Sequence, residues 1–155
     1  MVRAASPNRC SGNAHERILT VGHIVVPDSV IRDKGTSYHY LPPSREVGPH
    51  PRALAAIEKT LQRNGHDYIV AKTWTTDAIY RETRARMDAR KREGCLTVEM
   101  EAAAFFAVAK FRRVQFGQIL YGGDDLSGEW DHRNWSRHQI RERLFTLAAE
   151  ACLIM

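Results

Sequence analysis

The sequence predicts an α/β fold with a three-layer-like mixed sheet flanked by helices. Short segments rich in branched apolar residues alternate along the chain with longer segments whose apolar residues recur at helical spacing. The 155 residues are 43% hydrophobic and 26% charged, which is typical of a globular domain and excludes a wholly disordered or collagen-like chain. No apolar run approaches the roughly 18–20 residues of a membrane span, so no membrane partner is expected.

The first half of the chain predicts a leader, a strand and a helix. Residues 1–17 are polar and unpatterned, which predicts a disordered or non-homologous leader before a domain over residues 18–155. Residues 18–27 (ILTVGHIVVP) predict a strand that stops at its final proline. Residues 33–50 contain three prolines and predict a long ordered loop or two short extended pieces. Pro51 then begins a helix that ends at Asn64-Gly65.

The second half of the chain alternates strands and helices more regularly. The predicted strands cover residues 67–75, 96–100 and 114–121, and Gly122-Gly123 interrupt the last of them. The predicted helices cover residues 78–92, 101–111 and 136–154. This order of elements favours a largely parallel or mixed sheet.

The charge and the cysteine content limit the cellular location and the binding partners that are expected. The chain carries 23 Lys+Arg against 18 Asp+Glu, a net charge of +5, and its basic residues cluster in residues 81–92 (RETRARMDARKR). Acidic residues interrupt this cluster and no aromatic residue follows Tyr80 in it, so a solvated helix face is favoured over a nucleic-acid groove. The three cysteines have no CxxC spacing and the histidines have no metal-binding spacing, which predicts a reducing cytoplasmic location and no structural metal.

Polar residues follow three of the predicted strands, where ligand sites of α/β sheets are found. The three groups are Thr75-Thr76-Asp77, Glu99-Met100-Glu101 and Asp124-Asp125. A threonine or an acidic residue after a strand is also a normal helix cap, so capping remains open for each group.

Glu99 and Glu101 lie in an otherwise apolar stretch between Val98 and an AAAFF run. Buried carboxylates are costly unless they are hydrogen-bonded, so these two are expected to have partners. A carboxylate accepts two hydrogen bonds from a vicinal diol, and Met100 would provide a flexible apolar floor for a sugar ring. The stretch therefore suggests a ribose-like ligand.

Asp124 follows two glycines that let the backbone approach a ligand closely. It could act as a general acid if burial raises its pKa toward neutrality. A capping role is the alternative, and Asp125 competes for either role.

The segment VEMEAAAFFAVA, residues 98–109, resembles the signature of the nucleoside phosphorylase family, which includes uridine phosphorylases and hexameric purine nucleoside phosphorylases. The resemblance implies that Met100 and Glu101 hold the ribose, with Glu99 beside them. The segment GGDDL, residues 122–126, is similar to the family's late Ser-Asp loop. This likeness implies that Asp124 protonates or hydrogen-bonds the departing base, as in purine-type members.

Two further segments carry softer resemblances to the same family. TTDAIY, residues 75–80, resembles the base-binding segment and implies base contacts from Thr76, Asp77 and Ile79, the last standing where the family often has an aromatic residue. Arg84 lies near the position where uridine-type members place an arginine against the pyrimidine carbonyl. IRDKGTSY, residues 31–38, resembles a uridine-phosphorylase-like branch.

The implied activity is that of a pentosyltransferase. Phosphate would cleave the N-glycosidic bond of a nucleoside, with uridine favoured, to give ribose 1-phosphate and free base, with inorganic phosphate as co-substrate and no cofactor. A homo-oligomer is implied as well. The family's N-terminal phosphate-binding loop has no match in this sequence, so the phosphate-binding residues are unassigned. The fold is therefore expected to be that of a nucleoside phosphorylase that is incomplete at the N-terminus, with impaired activity. The alternatives are a nucleosidase that uses water and a non-catalytic fragment that binds nucleosides or nucleic acid.

Overall fold

The computed structural model describes the backbone of residues 2–4, 23–125 and 137–155 and the side chains of residues 23–122 and 140–155. Six strands are present in this part of the chain: β1 (Val2–Ala4), β2 (Ile24–Asp33), β3 (Glu46–Val47), β4 (Tyr68–Thr76), β5 (Cys95–Glu99) and β6 (Leu120–Asp125). The helices are α1 (Pro51–Arg63), α2 (Arg84–Arg92), α3 (Ala102–Arg112) and α4 (Arg137–Leu153), with 3₁₀ turns at Gly35–His39 and Ile79–Arg81. The alternation of strands and helices confirms the predicted α/β class.

The six strands form one mixed sheet in the order β3-β2-β4-β5-β1-β6. Strands β2, β4 and β5 are parallel neighbours, whereas β3 and β6 run antiparallel to β2 and β1 runs antiparallel to β5. An additional pairing between β2 and β6 closes five of the strands into a ring. The carboxyl ends of β2, β4 and β5 therefore meet at one edge of the sheet, as the predicted ligand site requires.

Strand β2 does not stop at Pro27, so that prediction was wrong. The strand continues to Asp33, and its register against β4 shifts between Pro27 and Val30. A proline has no N–H to donate, but a local irregularity of the ladder accommodates it. Val30 and Ile31 are fully buried and resume the pairing, because their apolar side chains gain more inside the sheet than in a loop. The predicted beginning of this strand, residues 18–22, lies outside the described residues, as does most of the leader predicted over residues 1–17.

Helix α1 begins at Pro51 as predicted, because a proline in the first turn has no N–H that needs a partner. The Nδ1 atom of His50 accepts a hydrogen bond from the backbone N–H of Arg52 at 3.2 Å and caps the helix. The helix ends at the predicted Asn64-Gly65 pair, where Gly65 has a positive φ of 66°. Residues 78–92 form a 3₁₀ turn followed by α2 rather than one continuous helix, because the Thr83 side chain caps α2 by accepting from the N–H of Arg86.

The last predicted strand is displaced along the chain. Residues 114–119 have no regular structure, and β6 begins at Leu120 and runs through the two glycines that were expected to end it. The irregular segment packs on helices instead, because Phe116 makes edge-to-face contact with Phe105 and Phe106 at 5.8 Å between ring centroids. Glycine in a strand removes a side chain but not the backbone pairing, and Gly122 pairs with Val2 of β1.

Helices cover the sheet through distinct apolar contacts. Helices α1 and α4 pack against the beginning of β2 in a cluster of Ile24, Val26, Ile57, Leu61, Leu147 and Ala151. Helix α3 packs against Val30 and Val47, and α2 places Met87 against Ile31 and Trp74. Within the described part of the chain, no helix combines the length and the apolar character needed to cross a membrane.

Candidate functional site

The first two polar groups predicted from the sequence lie side by side at one edge of the sheet. Strands β4 and β5 are parallel neighbours, and Thr75 is in register with Glu99. On the other side of β4, Thr76 is in register with Asp33 of β2. The segment that joins β5 to α3 contains Met100 and Glu101, so this edge carries the residues expected to meet a ribose.

Glu99 is almost completely buried, with 2% of its surface exposed, and the chain itself uses both of its carboxylate oxygens. Oε2 accepts hydrogen bonds from the backbone N–H groups of Glu101 at 2.7 Å and Ala102 at 2.6 Å. Oε1 accepts from the hydroxyl of Thr75, whose oxygen in turn accepts from the N–H of Ala103 at 2.9 Å. Glu99 and Thr75 together satisfy the first three N–H groups at the beginning of α3.

The environment of Glu99 acts on its protonation in two opposing ways. Burial raises the pKa of the Glu99 carboxyl above its usual value of 4.5, while hydrogen bonds from Thr75, Ala102 and Glu101 act to lower it. Because both oxygens are occupied by donors from the chain, Glu99 holds the segment around Met100 and Glu101 in place. Its one remaining acceptor direction, on Oε1, is buried with the rest of the side chain.

Glu101 has the opposite character. Its backbone occupies the N-cap position of α3, and its carbonyl accepts from the N–H groups of Ala104 and Phe105. The residue is half-buried, and in the part of the chain that the structure describes no group donates a hydrogen bond to its carboxylate. The two oxygens of Glu101 are therefore open acceptors beside a fixed backbone, which is the property that binding a diol requires.

Met100 is half-buried next to Glu101, and its backbone is fixed from another part of the sheet. Its carbonyl oxygen accepts a hydrogen bond from the ammonium Nζ of Lys34 at 2.7 Å. Lys34 follows directly after β2, so a charged hydrogen bond joins the ends of two strands that are separated by β4. Sequence reasoning missed Lys34, because a lysine before a glycine is typical of an exposed turn.

The four residues predicted to contact a base lie around the end of β4. Thr76 is buried, and its hydroxyl oxygen accepts from the N–H of Ala78 at 3.3 Å, which is the local capping geometry kept open by the sequence. Asp77 is exposed and Ile79 is half-buried in the following 3₁₀ turn. Arg84 is exposed at the first position of α2, so the structure places these four residues on neighbouring turns.

Asp124 lies inside a strand and not after one. Its backbone is in register with Arg3 of β1, and Arg3 is in register with Val98 of β5, next to Glu99. Strand β6 runs antiparallel to β2, so its end does not join the edge formed by β2, β4 and β5. The Asp124 side chain lies outside the described residues, and its role toward a departing base remains a prediction.

Part of the basic cluster at residues 81–92 is engaged in ion pairs. Arg86 and Arg90 contact the Asp33 carboxylate at 3.2 and 3.1 Å, and Arg90 also contacts Glu93 at 2.7 Å. The indole N–H of Trp74 donates to the same Asp33 carboxylate at 3.0 Å. These contacts fix α2 against the sheet and reduce the positive charge that the cluster presents to solvent.

Arg32 is a second residue that the sequence reasoning passed over. It is 1% exposed, and its guanidinium donates to the hydroxyl and carbonyl of Ser37, the carbonyls of Leu41 and Pro42 and the hydroxyl of Ser44. These neutral acceptors satisfy a buried cation and hold residues 37–44 over the end of β2. An arginine inside the apolar strand sequence VIRD was the available signal. Among the residues with described side chains, no group of three His, Cys, Asp or Glu side chains is placed to hold a metal ion.

Comparisons with known proteins identify the family to which the chain belongs. A family profile described as the phosphorylase superfamily matches residues 10–153. A guanosine phosphorylase of Halorubrum lacusprofundi is 29% identical over 101 residues, which are 65% of this chain and 42% of that protein. The chain thus spans less than half the length of this curated relative.

Solved structures share the fold at lower sequence identity. An AMP nucleosidase from Bacteroides thetaiotaomicron superposes with a TM-score of 0.70 at 24% identity, covering 87% of this chain and 53% of that one. A purine nucleoside phosphorylase from Toxoplasma gondii, in complex with immucillin-H, superposes with a TM-score of 0.75 at 16% identity, covering 86% and 56%. With the profile match over most of its length, the chain belongs to the phosphorylase superfamily.

Proposed function

We propose that this chain binds the ribose of a nucleoside through Glu101 and Met100 and takes part in cleavage of the N-glycosidic bond. The observation that carries the proposal is the contrast between the two carboxylates of the VEMEAA segment. Both oxygens of the buried Glu99 accept from donors of the chain, whereas no described residue donates to the carboxylate of Glu101. Of these two residues, Glu101 is the one that combines a fixed backbone with two open oxygens, which suits the adjacent hydroxyls of a ribose.

The surrounding contacts supply the preorganisation that such binding needs. Glu99 and Thr75 fix the first turn of α3, and Lys34 fixes the carbonyl of Met100. A sugar held by a rigid carboxylate loses less freedom in the transition state, which lowers the barrier. Cleavage of the C1′–N bond builds positive charge on the sugar, so a nearby carboxylate also stabilises that charge electrostatically.

The identity of the base is a separate part of the proposal. Arg84 and the IRDKGTSY segment favour a pyrimidine, whereas the conditional role of Asp124 favours a purine. The relatives named above are a guanosine phosphorylase, a purine nucleoside phosphorylase and an AMP nucleosidase. These names support including purine nucleosides beside uridine in the first tests.

The nucleophile distinguishes the two enzyme classes. In phosphorolysis, a phosphate oxygen forms a bond to C1′ as the base departs, which gives ribose 1-phosphate and free base. In hydrolysis, water forms that bond and gives free ribose. Phosphorolysis is the reaction we propose, on the strength of the family resemblance and the guanosine phosphorylase relative. A cytoplasmic location and a homo-oligomeric state belong to the same proposal. Analytical ultracentrifugation measures the oligomeric state.

The binding step is tested by isothermal titration of the purified chain with uridine, inosine and guanosine and with their 2′,3′-dideoxy forms. We expect the natural nucleosides to bind and the dideoxy forms to bind at least about tenfold more weakly, because they lack both donors. The Glu101→Gln variant should lose the preference for the natural forms, whereas Glu142→Gln, an exposed carboxylate of α4, should keep it. Equal binding of both forms by the unmodified chain would contradict the ribose assignment.

The chemical step is tested by chromatography of the bases released with and without inorganic phosphate. Formation of ribose 1-phosphate, only with phosphate present, is the expected result. Release of base and free ribose without phosphate would identify a nucleosidase. Nucleoside binding without base release in either condition would leave the ribose site intact and reject the catalytic part of the proposal.

A further inference from the structure

A concave site lies at the other end of α3 from Glu101. A cavity of about 430 Å³ opens between the beginning of α1 and the end of α3. Helix α3 rises by about 1.5 Å per residue, so Lys110 on this cavity lies roughly 13 Å along the helix from Glu101. The volume lies within the range of small-molecule pockets, about 300–1,000 Å³. Neither the predicted ribose contacts nor the predicted base contacts include a residue of this cavity.

The inner part of the cavity is apolar and rigid. Phe106 is buried and packs edge-to-face on Phe116 at 5.8 Å between ring centroids, and both rings line the cavity. Pro49 and Pro51 form the wall on the side of α1. Aromatic rings and prolines lose little conformational freedom when a ligand binds, so this floor suits a flat apolar group.

The rim of the cavity is positively charged. Lys110 and Arg113 are exposed lining residues, and no lining residue is acidic. Helix α1 begins at the cavity with Pro51, so the positive end of its dipole adds to the positive potential at the rim. The first turn of α1 contains no acidic residue that would offset this charge. The negative end of the α3 dipole also lies at the cavity, so the attraction for an anion at the rim comes from the side chains of Lys110 and Arg113 and from the beginning of α1.

Arg113 also occupies a backbone position that disfavours it. Its φ of 55° and ψ of 39° are left-handed, and among the described residues it is the only one other than glycine with a positive φ. Glycine is the usual residue at this position after a helix, because a side chain raises the energy of the left-handed conformation. The chain thus keeps a guanidinium at the rim despite a backbone cost.

We infer that this cavity binds a small amphipathic anion, specifically a ring-sized apolar group that carries one carboxylate. The ring lies against Phe116 and the two prolines, with Phe106 packed beneath Phe116, and the carboxylate lies between Lys110 and Arg113, where a guanidinium can bind it in bidentate fashion. A second copy of the same surface is a poor occupant, because two-fold contact would bring the cations of one copy against those of the other.

The test uses 2-naphthoate as the probe and its neutral amide, 2-naphthamide, as the matched control, with binding measured by isothermal titration and by NMR. We expect the carboxylate to bind at least about tenfold more tightly than the amide. Lys110→Gln and Arg113→Gly should each reduce the affinity for the carboxylate, with little effect on the amide. Arg112→Gln, a neighbouring exposed cation that does not line the cavity, should bind like the unmodified chain.

The Arg113→Gly variant separates binding from folding. Glycine is favoured at a left-handed position, so this variant should unfold at the same temperature as the unmodified chain or at a higher one. Equal affinity for the carboxylate and the amide, or unchanged affinity in both cation variants, would overturn the inference. Displacement of the probe by a nucleoside would also overturn it, because the probe would then occupy the ribose site. Failure of the nucleoside experiments above leaves this test unaffected.

Discussion

Replacement of Glu99 by alanine tests the structural core of the site most directly. The substitution removes the acceptor for the N–H groups of Glu101 and Ala102 and for the hydroxyl of Thr75. Ala102 is fully buried, so its N–H cannot recover a partner from bulk water without opening the beginning of α3. The Thr75 hydroxyl can reorient, and the half-buried Glu101 N–H can be hydrated in part.

The expected cost follows from these groups. A buried donor without a partner costs about 1–3 kcal/mol, and the relief of desolvating a carboxylate offsets part of the total. We therefore expect Glu99→Ala to lower the free energy of unfolding by about 3 kcal/mol. For a domain of this size, that corresponds to a fall of roughly 6–12 °C in the melting temperature. Glu99→Gln keeps an acceptor oxygen for the two N–H groups and should cost about 1 kcal/mol or less.

Thermal and denaturant unfolding of the three proteins, followed by circular dichroism, measures these differences. Nucleoside affinity should fall with the stability of the α3 turn, because Glu101 is the N-cap of that helix. If Glu99→Ala unfolds within about 1 kcal/mol of the unmodified chain, the carboxylate does not organise the turn and the reasoning fails. If Glu99→Gln is as unstable as Glu99→Ala, the negative charge of the carboxylate rather than an acceptor oxygen alone would be responsible, because glutamine has the same shape as glutamate.

Three further predictions concern Glu99, Lys34 and Gly48. Burial raises the folded-state pKa of Glu99, so the native chain binds the proton of this group more tightly than the unfolded chain does. The stability contributed by this group is therefore full below its usual pKa of 4.5 and is lost as the pH rises through the folded-state pKa. Denaturant midpoints measured upward from pH 4.5 should fall more in the unmodified chain than in Glu99→Gln, and parallel profiles would contradict this. Lys34→Met removes the 2.7 Å hydrogen bond to the carbonyl of Met100, so it should lower the free energy of unfolding by about 1–2 kcal/mol and weaken nucleoside binding. Lys34→Arg should restore part of the binding, and the exposed control Lys59→Met should change neither stability nor binding. Gly48→Ala places a Cβ 2.7 Å from the carbonyl oxygen of Asp28, so it should lower the free energy of unfolding, measured by chemical denaturation, by about 1–3 kcal/mol. The Cβ of Gly35→Ala meets no atom within 4 Å, so that variant should be nearly as stable as the unmodified chain. Equal effects of the two substitutions would refute the packing argument.

Local sequence patterns predicted the elements whose signals are contained within a few residues. The first-turn proline and the Asn-Gly stop of α1 are both found as expected. The strand over residues 67–75 and the buried helix over residues 101–111 differ from β4 and α3 by only one residue at either end. In each case, capping and burial preferences act within one turn or one strand, so the sequence contains all the information needed.

The errors arose where a partner distant in sequence decides the structure. The continuation of β2 beyond Pro27 depends on its pairing with β4, and the displacement of the last strand depends on the fit of Phe116 against α3. Local propensity cannot weigh these contacts, because their free energy comes from residues far along the chain.

The same distinction between local and long-range information applies to the candidate site. The sequence by itself determined the family resemblance, the α/β class and the pair of carboxylates in an apolar segment, because these depend on residue types in a fixed order. Only the tertiary structure decided which carboxylate is open, because the acceptor capacity of Glu99 is used by Thr75 from the neighbouring strand and by the first turn of α3. It also brought Lys34 to Met100 across the sheet and formed a basic cavity from two helix ends, since charge and shape from separated segments meet only after folding.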